Sequence, residues 1–137
     1  MQLLPMALGS PGVARRQLVV DLRTEAVDTE VGDDALLVLS ELVTNAVRHG
    51  SPIPSPLGAG LGVEWAISGS DVTLGVADAG KGPPAPAGGA TAWWSGESGR
   101  GLGIVAGLCA DWGVRPFVDE QLGRGPCGVL VWGRLSR

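Results

Sequence analysis

Residues 36–50 have the sequence LLVLSELVTNAVRHG, and this stretch decides the fold class of the chain. Glu41 and Asn45 stand four residues apart in the helix that it predicts, so they point the same way. A carboxylate and an amide at the edge of an apolar core are costly unless they bind something, and oxygen ligands of this kind suit magnesium carried by a nucleotide. The helix belongs in a core, because apolar side chains cover most of its sides: Leu36, Leu37, Val38, Leu39, Leu42, Val43, Ala46 and Val47.

Composition excludes several classes of protein. A length of 137 residues with 45% hydrophobic residues predicts one domain, 1–137, with a real core. A net charge of −4, with Lys81 as the only lysine, argues against nucleic-acid binding. The apolar runs are too short to span a bilayer, and the N-terminal MQLLPMALG is a poor signal peptide. Cys109 and Cys127 lack CxxC spacing, so we expect two buried, reduced thiols in a cytoplasmic protein.

Hydrophobic periodicity predicts the other elements. Helical spacing extends over Val13–Val27 and again over residues 102–110. Helices and an antiparallel-rich sheet in this order predict an α+β fold, a two-layer sandwich with a mixed, mostly antiparallel sheet and helices on one face. The strand patterns are Leu61–Ser68, Val72–Asp78, Val114–Val118 and Val129–Leu135, of which the first two form a hairpin.

Polar and glycine residues predict where these elements end. Asp33 or Asp34 is expected to cap the helix that carries Glu41, and Gly50 with Pro52 is expected to end it. Two clusters of glycine and proline predict loops: Ser51–Gly62 and Gly80–Gly89.

Two glycine motifs have the chemistry of a nucleotide site. Asp78-Ala79-Gly80-Lys81-Gly82 closes the hairpin, where the carboxylate can accept a hydrogen bond from an exocyclic amine such as that of adenine. Gly99-Arg100-Gly101-Leu102-Gly103 leads into a predicted helix, whose free N–H groups and dipole favour an anion. Each motif also has a purely structural explanation, since Asp-Gly turns are common and glycines permit tight helix packing.

Taken in order, these motifs resemble the histidine-kinase-like ATPase superfamily, the GHKL group with the Bergerat fold. Within it, SELVTNAVRHG and GRGLGIV are most similar to bacterial anti-sigma-factor serine/threonine kinases. The resemblance extends from about Ala14 to Leu135. Leu130 is a departure, because it stands where many relatives carry a threonine near adenine, and one polar contact to the base would then be missing.

The resemblance implies a role for each motif residue. Asn45 would ligate the Mg²⁺ that bridges the ATP phosphates, and Glu41 would act as general base on an incoming hydroxyl or orient a water. Asp78 would bind the adenine amino group, and residues 83–98 would form the ATP lid. The base and ribose would be flanked by Gly80 and Gly82, and the phosphates would be held by Gly99, Arg100, Gly101, Leu102 and Gly103.

Single residues keep alternative explanations. Glu41 could pair with Arg48 one turn further on, and His49 suits a capping or dipole role at the helix end. Arg100 either contacts phosphate or stays solvated. Trp93 and Trp94 of the proposed lid could close over the nucleotide, meet a partner protein or cover a gap in the core. The tryptophans on or near the predicted strands are expected in the core: Trp65, Trp112 and Trp132.

Together these features predict an ATP-binding serine/threonine protein kinase of the anti-sigma-factor type. It would transfer the γ-phosphate of Mg-ATP to a serine or threonine of a small antagonist protein and restrain a sigma factor, as a homodimer without nucleic-acid or membrane contact. The alternative is a module of the same fold that holds ATP, or no nucleotide, and acts only by protein contact. A detached sensor histidine kinase domain ranks lowest, because no dimerising helix with a phosphoacceptor histidine precedes the motifs.

Overall fold

Three helices and five strands make up the residues that the computed structural model describes, which are 1–54, 60–80, 97–118 and 127–136. The predicted α+β architecture is confirmed, with the helices packed on one face of a sheet. In chain order the elements are β1 (Gln2–Pro5), α1 (Ser10–Thr24), α2 (Thr29–His49), β2 (Gly60–Ser68), β3 (Asp71–Asp78), α3 (Glu97–Leu108), β4 (Asp111–Phe117) and β5 (Gly128–Leu135).

The long helix α2 begins earlier than its predicted caps. Asp28 is the N-cap, and its side chain accepts a hydrogen bond from the Glu30 N–H at 3.0 Å. Asp33 and Asp34 therefore lie inside the helix, and the prediction that one of them caps it was wrong. The predicted end is confirmed, because the Gly50 N–H donates to the Ala46 carbonyl at 2.9 Å as the C-cap.

Helix α1 lies against α2 and differs from its predicted bounds at both ends. It begins at Ser10, with a proline in its first turn, and ends at Thr24. Ala26 has a φ of 51°, in the left-handed region, which turns the chain into α2. Leu22 packs close to α2, where a Cβ on Gly32 would lie 3.7 Å from its Cδ1. No helix in the described parts of the chain has the length and hydropathy that a bilayer crossing requires.

The sheet has the strand order β1-β2-β3-β5-β4, and every neighbouring pair of these strands is antiparallel. The predicted admixture of parallel pairing is therefore absent from the described strands. The predicted hairpin is confirmed by the pairing of Ser68 with Asp71 across Gly69, which has a φ of 59°. Strand β1 was not predicted, because its four residues are too few to show a period.

Alternation along the strands divides the side chains between two faces of the sheet. The face toward the helices carries the main core, to which Val76 and Val131 belong. The opposite face carries a smaller apolar cluster of Ile53, Ala77 and Leu130. The three tryptophans expected in the core border it instead, half-buried against these clusters: Trp65, Trp112 and Trp132.

Both cysteines are free thiols and half-buried. Burial, together with the nearby Asp34 carboxylate, raises the pKa of the Cys109 thiol to about 11. This thiol is therefore protonated at neutral pH and a poor nucleophile. It packs directly on the sheet, where a Cβ on Gly133 would lie 2.7 Å from its sulfur.

Candidate functional site

Asn45 carries an unsatisfied polar atom on α2. Its side-chain Nδ2 is buried and has no hydrogen-bond partner among the residues that the structure describes. Such an atom costs about 1–3 kcal/mol when it stays unpaired. Since the oxygen and nitrogen of an amide exchange on a half-turn of the side chain, Asn45 can offer either a donor or an acceptor at this position. An acceptor oxygen fits a magnesium ligand, and a donor nitrogen fits a phosphate oxygen.

Glu41 lies one turn before Asn45 and is half-buried. In the described part of the chain, its carboxylate makes no hydrogen bond or ion pair. Arg48 is exposed and does not pair with it, and His49 is exposed in the last turn of α2. The carboxylate is therefore available to a bound group.

The Asp78 carboxylate joins the end of β3 to the end of α2. Asp78 is 7% exposed, and its Oδ1 accepts hydrogen bonds from the Gly80 N–H at 2.7 Å and the Ser51 N–H at 3.2 Å. The Ala79 N–H in turn donates to the Ser51 carbonyl at 2.8 Å. None of the hydrogen bonds among the described residues uses Asp78 Oδ2. That oxygen can accept a bond from a ligand amine.

Leu130 lies on the other face of the sheet from the Asp78 side chain. It is 2% exposed and packs with Ile53 and Ala77, whereas Asp78 continues the row of β3 side chains that face the helices. The β5 residue opposite Asp78 is Val129. The interpretation of Leu130 as a missing polar contact to adenine was therefore wrong, and burial explains its apolar side chain.

The second glycine motif lies inside α3. This helix begins at Glu97, so Gly101 and Gly103 follow the first four residues, whose N–H groups have no partner within a helix. Gly99 and Arg100 are among those four. The side chain of Leu102 is buried, so only its backbone can face a ligand. The prediction of a helix that starts at residue 102 was wrong, because glycine inside a helix costs only about 1 kcal/mol per residue and does not prevent the helix from extending over the motif.

The remaining predicted site residues lie outside the described residues. These are Lys81, Gly82 and residues 83–96 of the proposed lid, with Trp93 and Trp94 among them. The last two residues of the proposed lid, 97 and 98, belong to α3.

A cavity of about 580 Å³ opens beside the Asp78 motif. It is shallow and largely open to solvent. Arg115 on β4 and Val129 on β5 border it, and the sequence patterns did not indicate either residue. The cavity is lined by Ala79, Gly80, Val114, Arg115, Pro116, Cys127, Gly128 and Val129.

Comparison with known proteins identifies the family. No curated protein sequence matches the chain significantly. Residues 5–121 match the family described as histidine kinase-like ATPase domain, and this range includes Glu41, Asn45, Asp78 and both glycine motifs. Since the match covers most of the 137 residues, the chain belongs to the family of histidine kinase-like ATPase domains.

Proposed function

We propose that this histidine kinase-like ATPase domain is a serine/threonine protein kinase of the anti-sigma-factor type. The observation that supports the proposal is a pair of groups on α2, the buried Nδ2 of Asn45 and the carboxylate of Glu41, neither of which has a partner among the described residues. A buried amide without a partner is retained against its cost when a ligand completes it. A free carboxylate one turn away adds a base for an incoming hydroxyl.

In this proposal each residue acts on a different part of Mg-ATP. Asp78 Oδ2 accepts a hydrogen bond from the adenine amine, and Asn45 holds the metal and phosphates. Bound magnesium supplies charge neutralisation at the phosphates. Glu41 removes the proton from the hydroxyl of the substrate serine or threonine, whose oxygen attacks the γ-phosphorus while ADP leaves. The free N–H groups in the first turn of α3 stabilise the phosphate charge.

The partners in the proposal are a small antagonist protein, which provides the hydroxyl, and a sigma factor, which the kinase restrains. In this proposal the kinase is a homodimer and acts in the cytoplasm. This part of the proposal is supported by the resemblance of SELVTNAVRHG and GRGLGIV to anti-sigma-factor kinases.

Phosphate transfer from γ-labelled Mg-ATP to a co-purifying antagonist tests the catalytic assignment. We expect Glu41→Gln to slow transfer by about 100-fold or more, because it removes the base, and to leave the Kd for ATP within about threefold. Asp33→Asn is the matched control, since it removes one exposed carboxylate of the same helix. Its transfer rate should equal that of the wild type.

Transfer by Glu41→Gln at the wild-type rate would refute the role of this carboxylate.

Calorimetric titration with Mg-ATP separates the kinase from an interaction module of the same fold. Binding that Asn45→Ala abolishes, without transfer to any protein that co-purifies, would identify the module instead.

A further inference from the structure

Gly50 stands between the end of α2 and the Asp78 carboxylate. A Cβ on Gly50 would lie 2.6 Å from Asp78 Cγ, 2.8 Å from Asp78 Oδ2 and 2.6 Å from the Ala46 carbonyl oxygen. Its backbone, with φ −82° and ψ −179°, is open to any residue. Glycine is therefore required here for space, and any side chain would push the carboxylate or the helix end away.

The two oxygens of the Asp78 carboxylate differ in their hydrogen bonds. Oδ1 accepts the Ser51 and Gly80 N–H groups, and the Ala79 N–H donates to the Ser51 carbonyl. Oδ2 accepts no hydrogen bond from the described residues. Because Ser51 follows directly on the C-cap of α2, these three bonds join the helix that carries Asn45 to the strand that carries Asp78.

We propose that Gly50, with the Ser51 N–H, is a positioning residue that orients the Asp78 carboxylate toward the base of a bound nucleotide. The proposal rests on the proposed function for the identity of the ligand, an adenine nucleotide. Gly50 touches no ligand itself. It lets the helix end come close enough for the Ser51 N–H to hold Oδ1, and it leaves free the space beside Oδ2 that a side chain would fill.

Four variants separate the positioning of the Asp78 carboxylate from its hydrogen bond to the base. Gly50→Ala displaces a carboxylate that stays chemically intact. Asp78→Asn keeps an oxygen that can accept both backbone N–H groups and places an NH₂ donor where Oδ2 stood, whereas Asp78→Ala removes both functions. The matched control is Gly9→Ala, because Gly9 has a similar φ of −80° and no atom within 4 Å of a built Cβ.

Two measurements are needed, hydrogen-exchange protection of the Ser51 and Gly80 amides by NMR and the ratio of the calorimetric Kd values for Mg-GTP and Mg-ATP. We expect Gly50→Ala to lower the amide protection and to lower the ratio of Kd values by about tenfold. A tenfold change corresponds to one lost hydrogen bond to a charged group. Asp78→Asn should lose the preference for ATP over GTP, because its NH₂ donates to the guanine oxygen and not to the adenine amine. It should keep the protection of the Ser51 and Gly80 amides. Asp78→Ala should lose both the preference for ATP and the amide protection, and Gly9→Ala should keep both.

A Gly50→Ala protein that keeps the ratio overturns the proposal, as does one that loses affinity for ATP and GTP equally, because the effect would then be only structural. If Gly50→Ala does not fold, protection that persists in Asp78→Asn and disappears in Asp78→Ala supports the contact, and equal protection in both overturns it. If the wild type binds neither nucleotide, the proposed function fails, and the amide protection of these variants still decides whether the contact exists.

Discussion

At the scale of single residues, the two candidate ligand groups differ in how their polar atoms are satisfied. Asp78 accepts two backbone N–H groups on one oxygen, so burial of its carboxylate is partly compensated within the protein. Asn45 has a buried Nδ2 with no partner in the described part of the chain. The first arrangement stabilises the fold, and the second costs free energy as long as the atom stays unpaired.

Replacing Asn45 tests this cost. We expect Asn45→Leu to raise the free energy of unfolding without nucleotide by about 1 kcal/mol, because an apolar side chain of similar size removes the unpaired amide. The same variant should lose the increase in Tm that Mg-ATP gives the wild type. Urea denaturation and thermal melts with and without Mg-ATP measure the two effects. A large loss of stability in the nucleotide-free variant would show that the amide has a partner in the protein.

At the scale of elements, local signals predict where helices exist better than where they begin. Three aspartates near the start of α2 can all act as caps by residue type, and the structure uses the first, Asp28. The helix extends back to Thr29 because Val31 and Ala35 continue its buried face. Helix α3 likewise begins at Glu97, before the glycines that predicted its start, and it packs Leu102 and Val105 into the protein.

The observed cap can be distinguished from the predicted one by substitution. We expect Asp28→Ala to lower the free energy of unfolding by about 1 kcal/mol, because the first turn of α2 loses the acceptor for the Glu30 N–H. Asp33→Ala, at an exposed site inside the helix, should change it by less than about 0.5 kcal/mol. Urea denaturation of both variants is the measurement. A larger effect at Asp33 would contradict the helix start described above.

At the scale of the whole molecule, the sheet separates the candidate site from a second apolar cluster. Glu41, Asn45 and Asp78 belong to the side on which the helices lie, and Ile53 and Leu130 pack on the other. The segment after α2 takes part in both, because Ser51 binds Asp78 while Ile53 pairs with Gly60 and enters the second cluster. The end of α2 is thereby held against the sheet from two directions.

Leu130 provides a test of this separation. We expect Leu130→Ala to lower the free energy of unfolding by about 2–5 kcal/mol, because it leaves a cavity beside Ile53 and Ala77. The Kd for Mg-ATP of the folded variant should stay within about threefold of the wild type. Leu130→Thr should not tighten binding. Tighter ATP binding by the threonine variant would show that position 130 faces the base after all.

The sequence by itself determined the helices, the hairpin, the last two strands and the family, because hydrophobic periodicity and motif order are local properties of the chain. The roles of Glu41, Asn45 and the glycines stay predictions. Only the tertiary structure decided that Leu130 lies on the far face of the sheet, that β1 adds an edge strand, and that Gly50 and Ser51 contact Asp78. These depend on strand register and on contacts between segments 27 residues apart, which no local pattern encodes.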